Sequence, residues 1–232
     1  MKYLFFAIFI SVFINAQKPE NKQINIELKN ELARIDNDDQ IYRELVQSNI
    51  TPERKQEIMK TKNLTEEDVT VGISKVMIKQ DEENLAKIEK IIAKYGYPGK
   101  SLVGEPENKT AWLVIQHSPK INQYMPVIKK AAEEKEIPFR LYAMMLDRQL
   151  LQEEKEQIYG TQGTSFKVTE NGKTEMISLI WPIKNFKEVN SLRKEAGFSE
   201  TIEEYSKNLF GNDFVLKNYT LEEALKLKNK NK

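Results

Sequence analysis

Residues 65–96 read TEEDVTVGISKVMIKQDEENLAKIEKIIAKYG, and this stretch decides the fold class. Thr65, followed three residues later by Asp68, resembles a helix-opening capping box in which Asp replaces the usual Glu or Gln. Apolar residues then recur at intervals of three and four as far as Tyr95, which is the spacing of one helix face. Gly96 suits the left-handed position that ends many helices. The pattern predicts one long amphipathic helix from the Thr65 cap to Gly96.

The same spacing predicts further helices on both sides of this stretch. The first covers Ile24 to Val46, and a short second helix has Thr51 as its cap and a proline in its first turn. Pro138 opens another helix that extends to about Leu151. Shorter helices are predicted around 188–196 and 200–209, with a last helix after Thr220 that ends in a Lys- and Asn-rich tail.

A change in pattern predicts a β-hairpin in the C-terminal half. Residues 166–170 and 173–181 are strand-like, and Asn171-Gly172 between them suits a type I′ turn. The two-residue loop pairs Phe166 with Ile177 and Val168 with Glu175, which gives the hairpin a mostly apolar face that must pack on something.

The predicted fold class is therefore mainly α (α+β), an irregular helical bundle with one hairpin in the C-terminal half. Residues 24–210 are expected to form a single helical domain, with the hairpin at about 165–181. Residues 211–232 are expected to add a C-terminal helix and a polar tail.

Composition excludes several classes of protein. The 232 residues carry 36 Lys and Arg against 35 Asp and Glu, a net charge of +1, which lacks the basic excess typical of nucleic-acid-binding domains. The chain has no cysteine, so it has no disulfide, thiol nucleophile or Cys-type zinc site, and its single histidine excludes His-rich metal sites. No resident metal and no cofactor are predicted.

The N-terminal residues 1–16 are typical of a secretory signal peptide. Lys2 precedes an apolar run from Leu4 to Ile14, and Ala16 is a small residue before the expected cleavage point. A bilayer span needs about 20 apolar residues, so an uncleaved anchor is the less favoured alternative. We therefore expect an exported protein, periplasmic or extracellular, with no stable membrane anchor after cleavage.

Polar residues interrupt the apolar faces of three predicted helices, and they form the candidate site. An unpaired buried charge costs several kcal/mol, so these groups must meet each other, water or a ligand. The lone imidazole, His117, follows the apolar run 112–115, and we expect the polar groups to gather around it. They are Asp39, Gln40 and Arg43 in the first helix, Asp81 and Asn84 in the long helix, and Asp147 and Arg148 in the helix after Pro138.

Three interpretations of this cluster stay open. In the first, Asp39 and Arg43 form an intrahelical i,i+4 pair, Arg148 bridges helices to buried carboxylates, and the cluster is structural. In the second, the cluster is a polar pocket whose carboxylates have shifted pKa values and do acid–base work, with His117 and Asp147 as the catalytic groups. In the third, Ca²⁺ or Mg²⁺ binds Asp39, Asp81 and Asn84, although no EF-hand loop is present.

The segment 157–163, QIYGTQG, places two glycines around hydrogen-bonding side chains just before the hairpin. It is either an ordinary helix-to-strand turn or a loop that presents Tyr159 and Gln162 to the pocket.

Taken together, these segments resemble a bacterial domain family of unknown function found in exported proteins. The resemblance covers roughly residues 30–206, and two departures from it are Tyr97, where Trp is usual, and the lack of a common Gly near Glu154. It implies export and the extent of the domain, and it implies no established activity. Its motifs are Asp39-Gln40 with Arg43, Asp81-x-x-Asn84, Tyr95-Gly96-Tyr97-Pro98, Trp112 to His117, Tyr142 to Arg148, Gln157 to Gln162, Pro182 and the Arg193–Gly197–Tyr205 spacing.

Two classes of function follow from the sequence. The first is an exported domain of unknown activity whose polar cluster is structural or binds a small molecule or a cell-envelope component. The alternative is a hydrolase or transferase that acts on an envelope glycan or peptide by carboxylate acid–base chemistry, with Arg148 holding an anionic group. Motifs of serine hydrolases, zinc proteases, phosphate loops and dinucleotide folds are not found in the sequence.

Overall fold

The computed structural model describes residues 23–47, 49–170 and 172–230. Within these residues the chain is mainly helical with a single antiparallel hairpin, which confirms the predicted fold class. The predicted signal peptide lies outside the described residues. The α-helices and strands are α1 Ile26–Glu44, α2 Pro52–Lys62, α3 Glu66–Thr70, α4 Ile73–Tyr95, α5 Lys100–Val103, α6 Thr110–Gln116, α7 Ile121–Glu133, α8 Phe139–Gln152, β1 Gly163–Glu170, β2 Lys173–Ile180, α9 Val189–Glu195, α10 Ile202–Phe210 and α11 Leu221–Lys230.

The predicted helix caps are present. The side chain of Thr51 accepts a hydrogen bond from the backbone of Arg54, and Thr65 and Asp68 form a reciprocal capping box. Thr220 caps α11 in the same reciprocal way with Glu223. Each cap satisfies backbone N–H groups that have no partner inside the helix, which is why these boundaries could be predicted from local sequence.

The single long helix predicted from Thr65 to Gly96 is wrong, because the structure divides it into α3 and α4 at Gly72. The backbone N–H groups of Val71 and Gly72 both donate to the carbonyl of Glu67, which ends α3 in a tight turn. A Cβ atom at residue 72 would lie only 3.2 Å from Cα of Asp68, so the turn favours glycine. Glycine also has a low helix propensity, and the break therefore costs little.

Two apolar clusters share α1 and α4, and the polar residues lie between them. Along α1, residues up to Ile35 join a cluster with α6, α7 and α8, whereas residues from Ile41 join a smaller cluster with α2 and α3. Along α4, Met77 packs on the smaller cluster and Leu85 joins the larger one. Asp39 and Asp81 therefore lie between the two apolar clusters and belong to neither.

The hairpin has the predicted register, with Phe166 opposite Ile177 and Val168 opposite Glu175. A two-stranded hairpin has little stability alone, and its apolar face packs on α11 through Ala224. Among the described residues, none of the helices combines the length and apolar character needed to cross a membrane.

Candidate functional site

The centre of the site is a group of four charged or ionisable side chains from α1, α4 and the end of α6. They are Asp39, Arg43, Asp81 and His117, and we call them the Asp39 cluster. The Nε of Arg43 donates to Oδ2 of Asp39 at 3.2 Å, across one turn of α1. The Nη2 of the same guanidinium donates to Oδ1 of Asp81 at 2.6 Å. The Nδ1 of His117 lies 3.4 Å from Oδ2 of Asp39. Of the groups predicted to gather around the lone imidazole, Asp39 contacts it directly, and Arg43 and Asp81 are connected to it through Asp39.

Asp39 is the buried centre of this cluster, since its side chain is 0% exposed whereas that of Arg43 is 20% exposed. Burial by itself would raise the pKa of the Asp39 carboxyl. Hydrogen bonds and charge attraction from His117 and Arg43 outweigh burial, so the pKa of Asp39 lies below its usual range. Gln40 adds a further donor, with Nε2 at 2.6 Å from Oδ2. The carboxylate is thus charged at neutral pH and fully engaged.

The end of α6 positions the backbone of His117, and Asp39 contacts its ring. It follows α6 directly, and its backbone N–H donates to the carbonyl of Val114 at 3.2 Å. A charged carboxylate only accepts hydrogen bonds, so the contact with Asp39 favours the tautomer that carries its proton on Nδ1. Nε2 of the neutral ring is then the nitrogen with a free lone pair.

The imidazole and Asp81 line an open cavity of about 540 Å³, which we call the His117 cavity. Leu85 and Ile78 give it an apolar wall. At another side, Lys120 Nζ donates to Glu89 Oε1 at 2.6 Å, and this bond lowers the pKa of Glu89. A concave space with an apolar wall and a few polar groups is the usual form of a small-molecule site.

Asn84 is fully buried on α4, as its position on the apolar stripe predicted. Its Oδ1 accepts from Nε2 of Gln80 at 3.0 Å. Its Nδ2 has no hydrogen-bond partner among the described residues. A buried amide nitrogen without a partner destabilises the fold, so this position is unfavourable for stability alone.

Asp147 does not join the Asp39 cluster and instead organises the loop before the hairpin. Its carboxylate accepts from the backbone N–H groups of Ile158, Tyr159 and Thr161 at 2.8–3.1 Å, and from the Thr161 hydroxyl at 3.0 Å. Burial raises the pKa of Asp147, and these donors oppose that rise. Gly160, at φ +69°, allows the chain to wrap around the carboxylate.

Arg148 has no carboxylate within ion-pair distance in the described part of the chain, so its expected pairing with buried carboxylates is wrong. Its Nη1 donates instead to the backbone carbonyl of Gln116, at 3.0 Å, in the residue before His117. Burial lowers the pKa of this guanidinium. The helix turns Arg148 away from the contacts of Asp147, because adjacent residues point about 100° apart.

The segment 157–162 is a closed turn around Gln157. The side chain of Gln157 donates to the carbonyls of Gln162 and Trp181 and accepts from the backbone of Gln162. Tyr159 contributes its backbone to Asp147, and its ring lies 6.4 Å from that of Phe198. The side chain of Gln162 donates to Thr161. Neither Tyr159 nor Gln162 lines the His117 cavity, so this loop mainly provides turn structure.

Arg193 is the important residue that the site prediction missed. It is a fully buried arginine, 1% exposed, on α9. Its Nη1 donates to the carbonyl of Tyr159, and its Nε donates to the carbonyl of Glu200. The signal was available, since Arg193 lies four residues after buried Val189 and three before buried Ala196.

The cation hypothesis has little support from this geometry. The oxygens of Asp39 already accept from Arg43, Gln40 and His117. Within residues 23–47, 49–170 and 172–230, no group of three or more His, Cys, Asp or Glu side chains could hold a metal ion.

Comparison with known proteins gives one result. No curated protein and no solved structure matches the chain. Residues 31–218 match DUF6624, a family of unknown function, and this range includes all the site residues described above. The chain belongs to DUF6624, a family of unknown function.

Proposed function

We propose that this protein is an exported domain that binds a small cell-envelope molecule in the His117 cavity. The observation that carries the proposal is the position of the Asp39 cluster, since His117 and Asp81 are wall residues of a cavity of about 540 Å³. A purely structural ion network has no need of such an opening. The fixed charges and the apolar wall at Ile78 and Leu85 suit a ligand with both polar and apolar parts.

A second candidate function is hydrolysis of an envelope glycan or peptide, and the Asp39–His117 pair favours it. A buried carboxylate at Nδ1 orients an imidazole so that Nε2 takes a proton from an attacking group. Ser118, the adjacent hydroxyl, donates to the carbonyl of Ile115 and accepts from the backbone of Lys120, so it is engaged in structure. The attacking group would then be water, and His117 would act as the general base.

In both versions Asp147 holds the loop and does not react. The sequence suggested it as a catalytic group, but its carboxylate is 0% exposed and is surrounded by four donors. A group that meets substrate needs an exposed atom, and among the suggested acid–base residues His117 has one, with a side chain that is 21% exposed.

A screen of cell-wall fragments by NMR tests binding in the cavity. The chain has one histidine, so its ring signals report on the cavity without further assignment. Ile78, on the cavity wall, is 60% exposed, and Val215 is 82% exposed but outside the cavity. Ile78→Glu is expected to abolish binding while Val215→Glu leaves it unchanged.

The proposal fails if no muropeptide, glycan or peptide fragment shifts the His117 ring signals at millimolar concentration, or if both variants bind like wild type. Hydrolysis has a separate readout, because mass spectrometry of the incubated fragments detects products that carry one added water. If the ring is the general base, His117→Gln should stop product formation while fragments still shift the backbone amide signals of Leu85 and Ala86 on the cavity wall.

Export is tested independently of ligand binding. Expression of the full chain in a bacterial host, followed by intact mass measurement of the extracytoplasmic fraction, should give a product that lacks residues 1–16. A product that keeps these residues would contradict cleavage at Ala16.

A further inference from the structure

A second cavity, of about 240 Å³, lies between α8, the loop 157–162 and the α9–α10 connection. We call it the Arg193 cavity, after the buried arginine in its wall. It shares no lining residue with the His117 cavity, so the two are separate sites. Its wall also contains Arg140, Thr161, Ser199 and Tyr205.

The guanidinium of Arg193 is held in place and still has one nitrogen available to donate a hydrogen bond to a ligand. Its guanidinium carbon lies 4.7 Å from the centre of the Phe198 ring and 5.1 Å from that of Tyr205, so two rings fix its plane. Its Nε and Nη1 are bound to backbone carbonyls. Its Nη2 has no hydrogen-bond partner among the described residues, and the nearest carboxylate oxygen, on Glu200, is 3.7 Å away.

The residues that line the Arg193 cavity carry a small positive excess, and the carboxylates of Asp147 and Glu203, outside the lining, also act on Arg193. Arg140 lies at the rim, is exposed, and forms no ion pair in the described part of the chain. Arg148 does not line the cavity but interacts electrostatically with Tyr205 in its wall, and it also has no carboxylate partner among the described residues. Glu200 supplies the carboxylate of the cavity wall. Two arginines against one carboxylate leave the wall with a net charge of +1.

We propose that the Arg193 cavity binds an oxyanion, the carboxylate or phosphate group of a small ligand. The planar guanidinium of arginine matches both groups and forms two parallel hydrogen bonds to them. A bound oxyanion would give Nη2 of Arg193 its missing acceptor, and Arg140 would close over the ligand from the rim. Admission of the ligand requires the Glu200 side chain, which is 35% exposed and accepts a hydrogen bond from Asn208 at 2.9 Å, to turn away from Nη2.

Titration calorimetry and amide NMR at low ionic strength test this proposal, with inorganic phosphate and acetate as the probes. We expect shifts at Gly197 and Ser199, which line the cavity, without shifts at His117. Arg140→Gln should weaken binding about three- to tenfold, because it removes one rim charge. Glu200→Gln should tighten binding by a similar factor, because it removes the competing carboxylate.

Arg34 provides the matched control, since it is exposed on α1 and outside the cavity, and Arg34→Gln should leave the affinity unchanged. A shift with phosphate alone identifies a phosphate site, and a shift with acetate alone identifies a carboxylate site. The proposal is overturned if neither probe shifts the Gly197 and Ser199 amides. It is also overturned if Arg34→Gln weakens binding as much as Arg140→Gln, since the effect would then be that of net charge alone.

Discussion

Replacement of Asp39 by Asn should destabilise the protein by about 2–4 kcal/mol at pH 7. The amide keeps one acceptor oxygen but places an NH₂ group against the donors of Arg43 and His117. Two charge-assisted hydrogen bonds are lost or weakened, each worth about 1.5–3 kcal/mol, and the smaller cost of burying a neutral group offsets part of the loss. For a domain of this size the melting temperature should fall by roughly 6–12 °C.

The effect should depend on pH with a defined sign. The pKa of Asp39 is lower in the folded than in the unfolded protein, so its stabilising contribution is present above the unfolded pKa, near about 4. That contribution is lost as the pH falls through the folded pKa. The difference in unfolding free energy between wild type and Asp39→Asn should therefore shrink below about pH 4.

Urea unfolding followed by fluorescence measures this difference, since Trp112 and Trp181 are buried in separate apolar clusters. Asp213→Asn is the control, because Asp213 is exposed and its substitution should change stability by less than about 0.5 kcal/mol. An Asp39→Asn protein as stable as wild type at pH 7 would refute the argument. A loss that is equally large at pH 3 and pH 7 would also refute it, because it would then arise from packing and not from charge.

Three further outcomes follow from the contacts around the site. Asp147→Ala should cost about 3–5 kcal/mol in urea unfolding, because it removes the fully buried carboxylate that accepts from three backbone N–H groups, one of them at buried Thr161; a loss below 1 kcal/mol would contradict this. Arg148→Ala should cost only about 1–2 kcal/mol by the same measurement, since it removes a single hydrogen bond to the Gln116 carbonyl; a loss of 4 kcal/mol would restore the idea of a buried ion pair. The ¹⁵N chemical shifts of neutral His117 should report the proton on Nδ1, as the contact with Asp39 requires, and a proton on Nε2 would exclude the proposed orientation.

Helix boundaries were predictable where their signals are local. The caps at Thr51, Thr65 and Thr220 are each made by a side chain within three residues of its partner, and all three are present. The break at Gly72 was missed because the apolar spacing continues across it, and the turn depends on a close approach to Asp68 that spacing does not reveal.

The candidate site was predictable only in part, for a related reason. The pairing of Asp39 with Arg43 follows from their i,i+4 spacing, and the structure has it. The partners of Asp147 are backbone N–H groups 11 to 14 residues further along the chain, and every residue type except proline carries one. The spacing of side chains therefore could not show whether Asp147 pairs with a charged side chain or with the backbone of a loop.

The dependence of the hairpin on α11 imposes an order on assembly. Phe166 and Val168 are synthesised nearly sixty residues ahead of Ala224, which covers them in the native protein. During that interval the apolar face of the hairpin and the outer edges of its two strands are exposed, and both can associate with neighbouring chains. A chaperone that binds the exposed hairpin, or rapid synthesis of α11, would therefore reduce aggregation at this stage of folding.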